Sequence, residues 1–255
     1  MVHAKISKRQ TAILDMVAEN GFVATEALVS HFDVTPQTIR RDLNELDSKG
    51  LLTRFHGGAG QAKSGENAPY PDRLKTDVEG KRKIAELTAS LIPDGASLFL
   101  NIGTTTEAVA EALLRRENLN VVTNNINVAK ILCRNPSFQV IIAGGRVRNS
   151  DGGITGLASA EFISQFRMDF GIIGISGIDE DGNLLDFDLE EVKTARAILA
   201  GSQQVILVAD QHKFGRRAMN RMGHISELDM LVTDAPVGAP FRSAIADITV
   251  RVAET

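Results

Sequence analysis

Seven short apolar runs punctuate the chain from Arg73 onward: Ser97–Leu100, Val121–Val122, Val140–Ile142, Gly171–Ile173, Val205–Val208, Met230–Val232 and Ile248–Val250. Helical patterns separate them, and a further helix is expected from Arg73 to about Leu91. A strand that is apolar throughout has no face to give to water. Such runs, alternating with helices, define an α/β fold with a mostly parallel sheet covered on both faces. Ligands of these sheets bind in the crevice beyond the C-terminal ends of the strands.

The loops expected at that edge are polar and glycine-rich. Asn101-Ile102-Gly103-Thr104-Thr105-Thr106 follows the first strand and opens a helix. Gly103 allows close backbone approach, while three hydroxyls and a helix N-terminus suit an anion. Thr123-Asn124-Asn125 follows the second strand, and Gly144-Gly145 with Arg148 the third. Gly174 through Asp179 follows the fourth, and Asp210 through Gly215, with Lys213, the fifth. Any one of these is ordinary turn chemistry by itself. Together, on one edge, they favour a shared phosphate-sized site. The chain has no Gly-x-x-x-x-Gly-Lys and no Gly-x-Gly-x-x-Gly, so no nucleotide cofactor is expected. His3, His31, His56, His212 and His224 show no ligand spacing, so no metal is expected either. Asp179, Asp181, Glu191 and Lys193 could serve acid–base chemistry, the alternative being an isomerase-like enzyme acting on phosphosugars.

The N-terminal part reads differently. Thr35 is a good N-cap, and Pro36 suits the first helical position. Ile39, Leu43 and Leu46 then form one stripe. Gln37, Arg41 and Asn44 fall opposite it, with Thr38 and Arg40 on its flanks, a set able to meet base edges and phosphates. Before it come a helix from Ser7 to Asn20, a short extended Phe22–Ala24, and a helix capped by Thr25. After Gly50, Leu51–Phe55 reads as a strand and His56–Ala59 as a glycine turn, placing Arg54 and His56 near a wing tip. The pattern is a winged helix-turn-helix over residues 1–59. Its cations and anions balance, so its basic groups must be clustered by the fold, and binding should lean on base readout and a second half-site.

Residues 60–72 are small, polar and Pro-containing, a linker composition, leaving 73–255 as the second domain. Hydrophobic content of 43% supports two cores. No apolar run is long enough to span a bilayer and no apolar segment follows Met1, so a soluble cytoplasmic protein is expected. Cys133, the single cysteine, lies in an apolar helical pattern and is expected to be buried.

The run Pro36–Leu43, with Gly50 and His56-Gly57-Gly58-Ala59, resembles the DeoR family of bacterial repressors. The resemblance continues through Ile102–Thr105, Thr123–Asn125, Gly144-Gly145 with Arg148, Asp151–Ile154, Phe162–Phe166 and Asp169–Ile172. It implies a C-terminal domain similar to ribose-5-phosphate isomerase that senses a phosphorylated sugar or polyol, glycerol-3-phosphate foremost. It also implies a double-stranded operator and a homo-oligomer, dimer or tetramer, with no catalysis. His212 and Asp186 depart from the family's pattern.

Overall fold

The computed structural model describes residues 6–20, 22–49, 51–55, 57–61, 67 and 69–253. His56 lies outside them, as does most of the stretch from 62 to 68.

The N-terminal unit begins with α1 (Lys8–Asn20). Ser7 and Gln10 cap it reciprocally, each backbone N–H donating to the other's side chain at 2.9 and 3.1 Å. Next come β1 (Phe22–Ala24), α2 (Thr25–Phe32) and α3 (Pro36–Ser48). Thr25 was the expected cap of α2, but it is the first helical residue, and Ala24 holds the cap position without a side-chain bond. At α3 the cap is as expected: Thr38 N–H donates to Thr35 Oγ1 at 3.3 Å, with Pro36 in the first turn. Ile39, Leu43 and Leu46 are all fully buried, a burial contributing roughly 1.5–3 kcal/mol for each side chain. The wing is a hairpin, β2 (Leu52–Phe55) and β3 (Gly58–Gln61), with β1 added to give the order β1-β3-β2. Gly58 and Ala59 therefore belong to a strand and not to the turn.

The second unit opens with α4 (Tyr70–Lys75) and α5 (Val78–Leu91). Two helices replace the single one expected, because Asp77 adopts a left-handed conformation (φ 47°) and caps α5 from there. Then follow β4 (Ser97–Leu100), α6 (Thr104–Leu113), β5 (Asn120–Thr123), α7 (Ile126–Leu132) and β6 (Gln139–Ile142). A short ribbon, β7 (Arg146–Val147) with β8 (Ile154–Thr155), precedes α8 (Leu157–Ile163) and β9 (Met168–Ile173). The hairpin β10 (Gly177–Ile178) and β11 (Asn183–Asp186) leads into α9 (Leu189–Gly201) and β12 (Ser202–Val208). The chain ends with β13 (Asn220–His224), β14 (Met230–Thr233) and β15 (Thr249–Val252).

Seven of these strands form one sheet in the order β15-β14-β12-β9-β4-β5-β6, with every pairing parallel. Alternation along the strands divides its side chains between two cores. Leu98, Leu100 and Ile172 pack beneath α5 and α6, while Phe99, Ile173 and Leu207 pack toward α8 and α9. β6 departs from the expected coverage, since Ile141 and Ile142 are exposed at this edge. Cys133 is also exposed: α7 ends at Leu132, and the cysteine is its C-cap rather than a core residue. No helix among the described residues is long and apolar enough to cross a membrane.

Strand order reverses at β4. Its successors β5 and β6 lie to one side and β9 to the other, so the loops after β4 and β9 diverge and leave a crevice. Asn101 fixes its floor: its N–H donates to Ile172 O at 3.2 Å, and its Oδ1 accepts from Gly174 N–H at 3.0 Å. The two units meet where Phe22 packs on Phe241, in the turn Ala239–Phe241.

Candidate functional site

The exposed side of α3 carries Gln37, Arg40, Arg41 and Asn44, with Thr35 exposed at its start and Thr38 half-buried beside it. Its acidic residue on the other side is consumed internally. Asp42 is buried and accepts from Arg9 Nε at 2.6 Å and Gln10 Nε2 at 3.3 Å, which ties α3 to α1. Among the described residues Arg41 pairs with Glu45 alone, at 3.2 Å, and its side chain is 83% exposed. Arg54 reaches from β2 to donate to Asn44 Oδ1, and its backbone N–H donates to Asp47 Oδ1 at 3.2 Å. The wing and the helix thus present one surface. Arg40, Asn44 and Arg54 form one wall of a groove whose other wall is Asp179, Glu180, Asp181 and Arg217.

In the crevice at β4 and β9, Gly103, Thr104 and Thr105 of the α6 N-terminus face Gly174, Asp186, Glu191 and Lys213 across one cavity. No side chain caps α6. Thr106 is spoken for: its hydroxyl bonds Asn101 O and Gly103 O, each at 2.8 Å. Gly103 (φ 152°) leaves the approach open, since a Cβ there would stand 3.2 Å from Thr106 Oγ1. The first-turn amides are thus left for an incoming anion.

Three cations converge here. The Lys213 ammonium makes no hydrogen bond among the described residues, although the backbone N–H donates to Asp210 O at 3.0 Å. Burial pulls its pKa down, Asp210 opposes this, and Arg216 and Arg73 lower it further. Arg73 of α4 donates to Asp151 Oδ2 at 3.0 Å, and its Nε is buried without a partner among the described residues. Arg216 donates to Asn67 Oδ1 at 2.9 Å and lies over Phe187. Burial lowers Arg216 as well, with Arg73 adding to the effect. An anion between them would relieve charges that now oppose one another. Burial would raise Asp210, but Lys213, the His212 hydrogen bond and Lys81 outweigh it and hold that carboxyl far below its usual range.

The cavity continues into a second one, of about 210 Å³, which shares Asn67, Arg73, Asp186 and Glu191 and adds Tyr70, Arg148 and Asp188. Arg148 binds three carboxylates there, Asp151, Asp188 and Glu191, each at 2.8 Å. Burial pushes Asp186 up. It pushes Glu191 up to about 8, with the Asp186 charge adding to the effect and Arg148 opposing it.

Several expected site residues are elsewhere. Asp179 lies in the groove facing α3, where its Oδ1 accepts from Asn183 N–H at 2.8 Å and closes the β10–β11 turn. Lys193 faces solvent and pairs with Glu190 at 2.6 Å. Thr123, Asn124 and Asn125 are buried structural groups. Thr123 donates to Leu100 O at 2.6 Å, Asn124 to Ile154 O at 3.0 Å, and Asn125 to Glu107 Oε1 at 3.1 Å while also capping α7. Gly144 and Gly145 sit exposed beyond β6 and line neither cavity. Sequence reasoning missed Arg73 and Asp186, which lie outside the glycine-rich loops, and Arg216, one residue beyond the Asp210–Gly215 stretch. It also missed a grouping made only by tertiary structure: Asp77, Asp210 and His212 offer ligand-type atoms within 4.8 Å of one another. His212 Nδ1 lies 3.6 Å from Asp77 Oδ2 and 3.3 Å from Asp210 Oδ1. Its hydrogen bond is the main cause holding the Asp77 carboxyl below its usual range.

A winged helix-turn-helix joined to a parallel α/β domain with an anion-suited cavity defines a ligand-responsive DNA-binding regulator. The chain belongs to the DeoR family: residues 9–65 match the DeoR-like helix-turn-helix domain and residues 76–235 the DeoR C terminal sensor domain. It is 53% identical over 243 residues to the glycerol-3-phosphate regulon repressor of Escherichia coli (strain K12), covering 95% of this chain and 96% of that one. The repressor of the same description from Haemophilus influenzae is 52% identical, with 92% of each chain covered. Among solved structures, ribose 5-phosphate isomerase A of Neisseria gonorrhoeae is similar over 54% of this chain and 53% of that one, at 16% identity and a TM-score of 0.40. The eIF2B delta structure from Chaetomium thermophilum is similar over 78% and 63%, at 14% identity and a TM-score of 0.46.

Proposed function

We propose that this chain is a repressor of the glycerol-3-phosphate regulon type, working as a homo-oligomer that releases its operator when a phosphorylated polyol, glycerol-3-phosphate, binds the cavity at α6. The observation that carries the reading is the uncapped N-terminus of α6 facing the Lys213 ammonium, which no described residue bonds. Helix amides and a cation at one spot are what a phosphate monoester needs.

In this reading residues 1–59 bind DNA, 60–72 link, and 73–255 sense. Two α3 helices enter successive major grooves of a dyad-symmetric site. The effector must bind the DNA-incompetent arrangement more tightly, because equal affinity for both would shift nothing. Catalysis is not part of this function. Of the four groups considered for isomerase chemistry, only Glu191 lines the cavity, while Asp179 and Asp181 face the groove and Lys193 faces solvent.

The experiment is a titration of operator binding against a panel of sugar and polyol phosphates. Glycerol-3-phosphate should release the operator while glycerol does not. Release by neither, or equally by both, would refute the reading. A parallel assay for ribose-5-phosphate isomerisation should show no turnover.

A further inference from the structure

The two joined cavities differ in chemistry. The half at α6 offers amides, hydroxyls and the Lys213 charge. The junction with the second half is flanked by two carboxyl groups, Asp186 and Glu191, and the far half adds Asp151 and Asp188, whose charge exceeds that of the Arg148 they clamp. Carboxylates repel a phosphate, so a phosphate has one end of this space to occupy. They accept strongly from hydroxyls, so a polyol chain has the other.

Both groups keep acceptor capacity. Asp186 Oδ1 takes the N–H of Phe187 at 2.6 Å and that of Asp188 at 3.4 Å, and the carboxyl also bonds the Ser176 side chain. Glu191 Oε2 takes Arg148 Nη2 at 2.8 Å, and no described residue donates to its Oε1. Arg148, clamped between Asp151, Asp188 and Glu191, fixes the glutamate in place. Burial raises both carboxyls, and the Asp186 charge raises Glu191 further, so Glu191 tends to hold a proton near neutral pH. A protonated carboxyl can donate to a hydroxyl, and an ionised one can accept from it.

Building on the phosphate reading above, we infer that Asp186 and Glu191 are the specificity-determining groups of the sensor. They bind the vicinal hydroxyls of a phosphate monoester whose phosphate lies at α6, and so discriminate against esters that lack them. The class of effector is a phosphorylated polyol with adjacent free hydroxyls, which the 210 Å³ of the second cavity accommodates beyond the phosphate.

The test is calorimetry on the full-length protein with three probes: inorganic phosphate, n-propyl phosphate and glycerol-3-phosphate. In the unaltered protein, glycerol-3-phosphate should bind about 10- to 100-fold more tightly than propyl phosphate, the range set by one or two charge-assisted hydrogen bonds. Asp186→Asn and Glu191→Gln should each shrink that ratio without weakening the binding of inorganic phosphate, since each removes a carboxyl that repels it. Loss of binding to all three probes in the unaltered protein would sink the phosphate reading itself. Binding of both esters with equal affinity would overturn the hydroxyl reading alone, and this comparison needs no variant to fold. A ratio unchanged in both variants, with native circular dichroism, would overturn it too.

Discussion

Phe22 of β1 meets Phe241 edge to face, with ring centroids 5.6 Å apart and planes at 83°. Phe241 in turn lies 5.3 Å from Phe214, the residue next to Lys213. Three rings therefore run from the sheet of the DNA-binding unit to the loop that carries the cavity's lysine. Packed rings shift as a unit because a dense core has few intermediate arrangements.

Phe22→Ala should therefore weaken induction more than operator binding. The ring pair is worth about 0.5–1.5 kcal/mol beyond its buried area, and Phe22 is only half-buried, so the fold should persist. Operator titrations with and without glycerol-3-phosphate read the coupling. An unchanged ratio of the two affinities would exclude this contact as a carrier.

Arg41→Ala should weaken operator binding by about 1–3 kcal/mol, the scale of a lost bidentate base contact. Its partner in the free protein is the exposed Glu45, so the melting temperature should hold. Fluorescence anisotropy with labelled operator, alongside circular dichroism, measures both. Wild-type affinity in a folded variant would remove α3 from the groove.

At the cavity, three variants separate binding from support. Thr105→Val and Lys213→Ala should bind operator normally and ignore effector. Thr106→Val removes a hydroxyl that satisfies two carbonyls, and should cost about 1–3 kcal/mol of stability. Chemical denaturation and effector calorimetry give opposite orders for Thr105 and Thr106 if the assignment holds.

A fragment beginning near Glu66 should fold, bind effector and self-associate. It keeps Tyr70, whose hydroxyl donates to Glu107 at 2.8 Å, and Arg73, bound to Asp151 at 3.0 Å. It also keeps the exposed Ile141 and Ile142 of the β6 edge, a surface suited to a second copy. Sedimentation at micromolar concentration checks it: an insoluble or monomeric fragment would contradict the domain scheme.

Stability should fall as pH rises from about 4.5 to about 8. The unfolded chain releases the Glu191 proton near its ordinary value of 4.5, whereas burial beside Asp186 keeps it in the folded state up to about 8. Between these values the folded state binds more protons, so raising the pH favours unfolding. Glu191→Gln should flatten this part of the profile. Denaturant midpoints measured across the range show whether it does.

The sheet was legible because strands apolar on both faces leave one architecture, and α3 because Thr35, Pro36 and the Ile39–Leu43–Leu46 stripe agree. The α6 loop was legible for the same reason, since glycine, hydroxyls and a helix start coincide there. The ribbon β7–β8 and strand β10 were not, because strands of two residues have no period to detect. Arg73 reaches the cavity from α4, far in sequence from the loops that form it, and Arg216 lies beside the cavity bonded to Asn67; neither position carries a local signal. Lys193 could have been excluded: it lies about 200° around α9 from Glu191, and residues two apart on a helix do not share a face.

The groove between α3 and the β10–β11 turn has a consequence for ionic strength. A duplex lying along the exposed side of α3 brings its phosphates past Arg40, Arg41 and Arg54, but also toward Asp179, Glu180 and Asp181. The cations release condensed counterions from the DNA, and added salt weakens that attraction. The three carboxylates repel the same phosphates, and added salt weakens that repulsion as well. While the domains keep this arrangement, the two responses oppose each other, and operator affinity should decline with salt less steeply than the number of basic contacts alone would dictate.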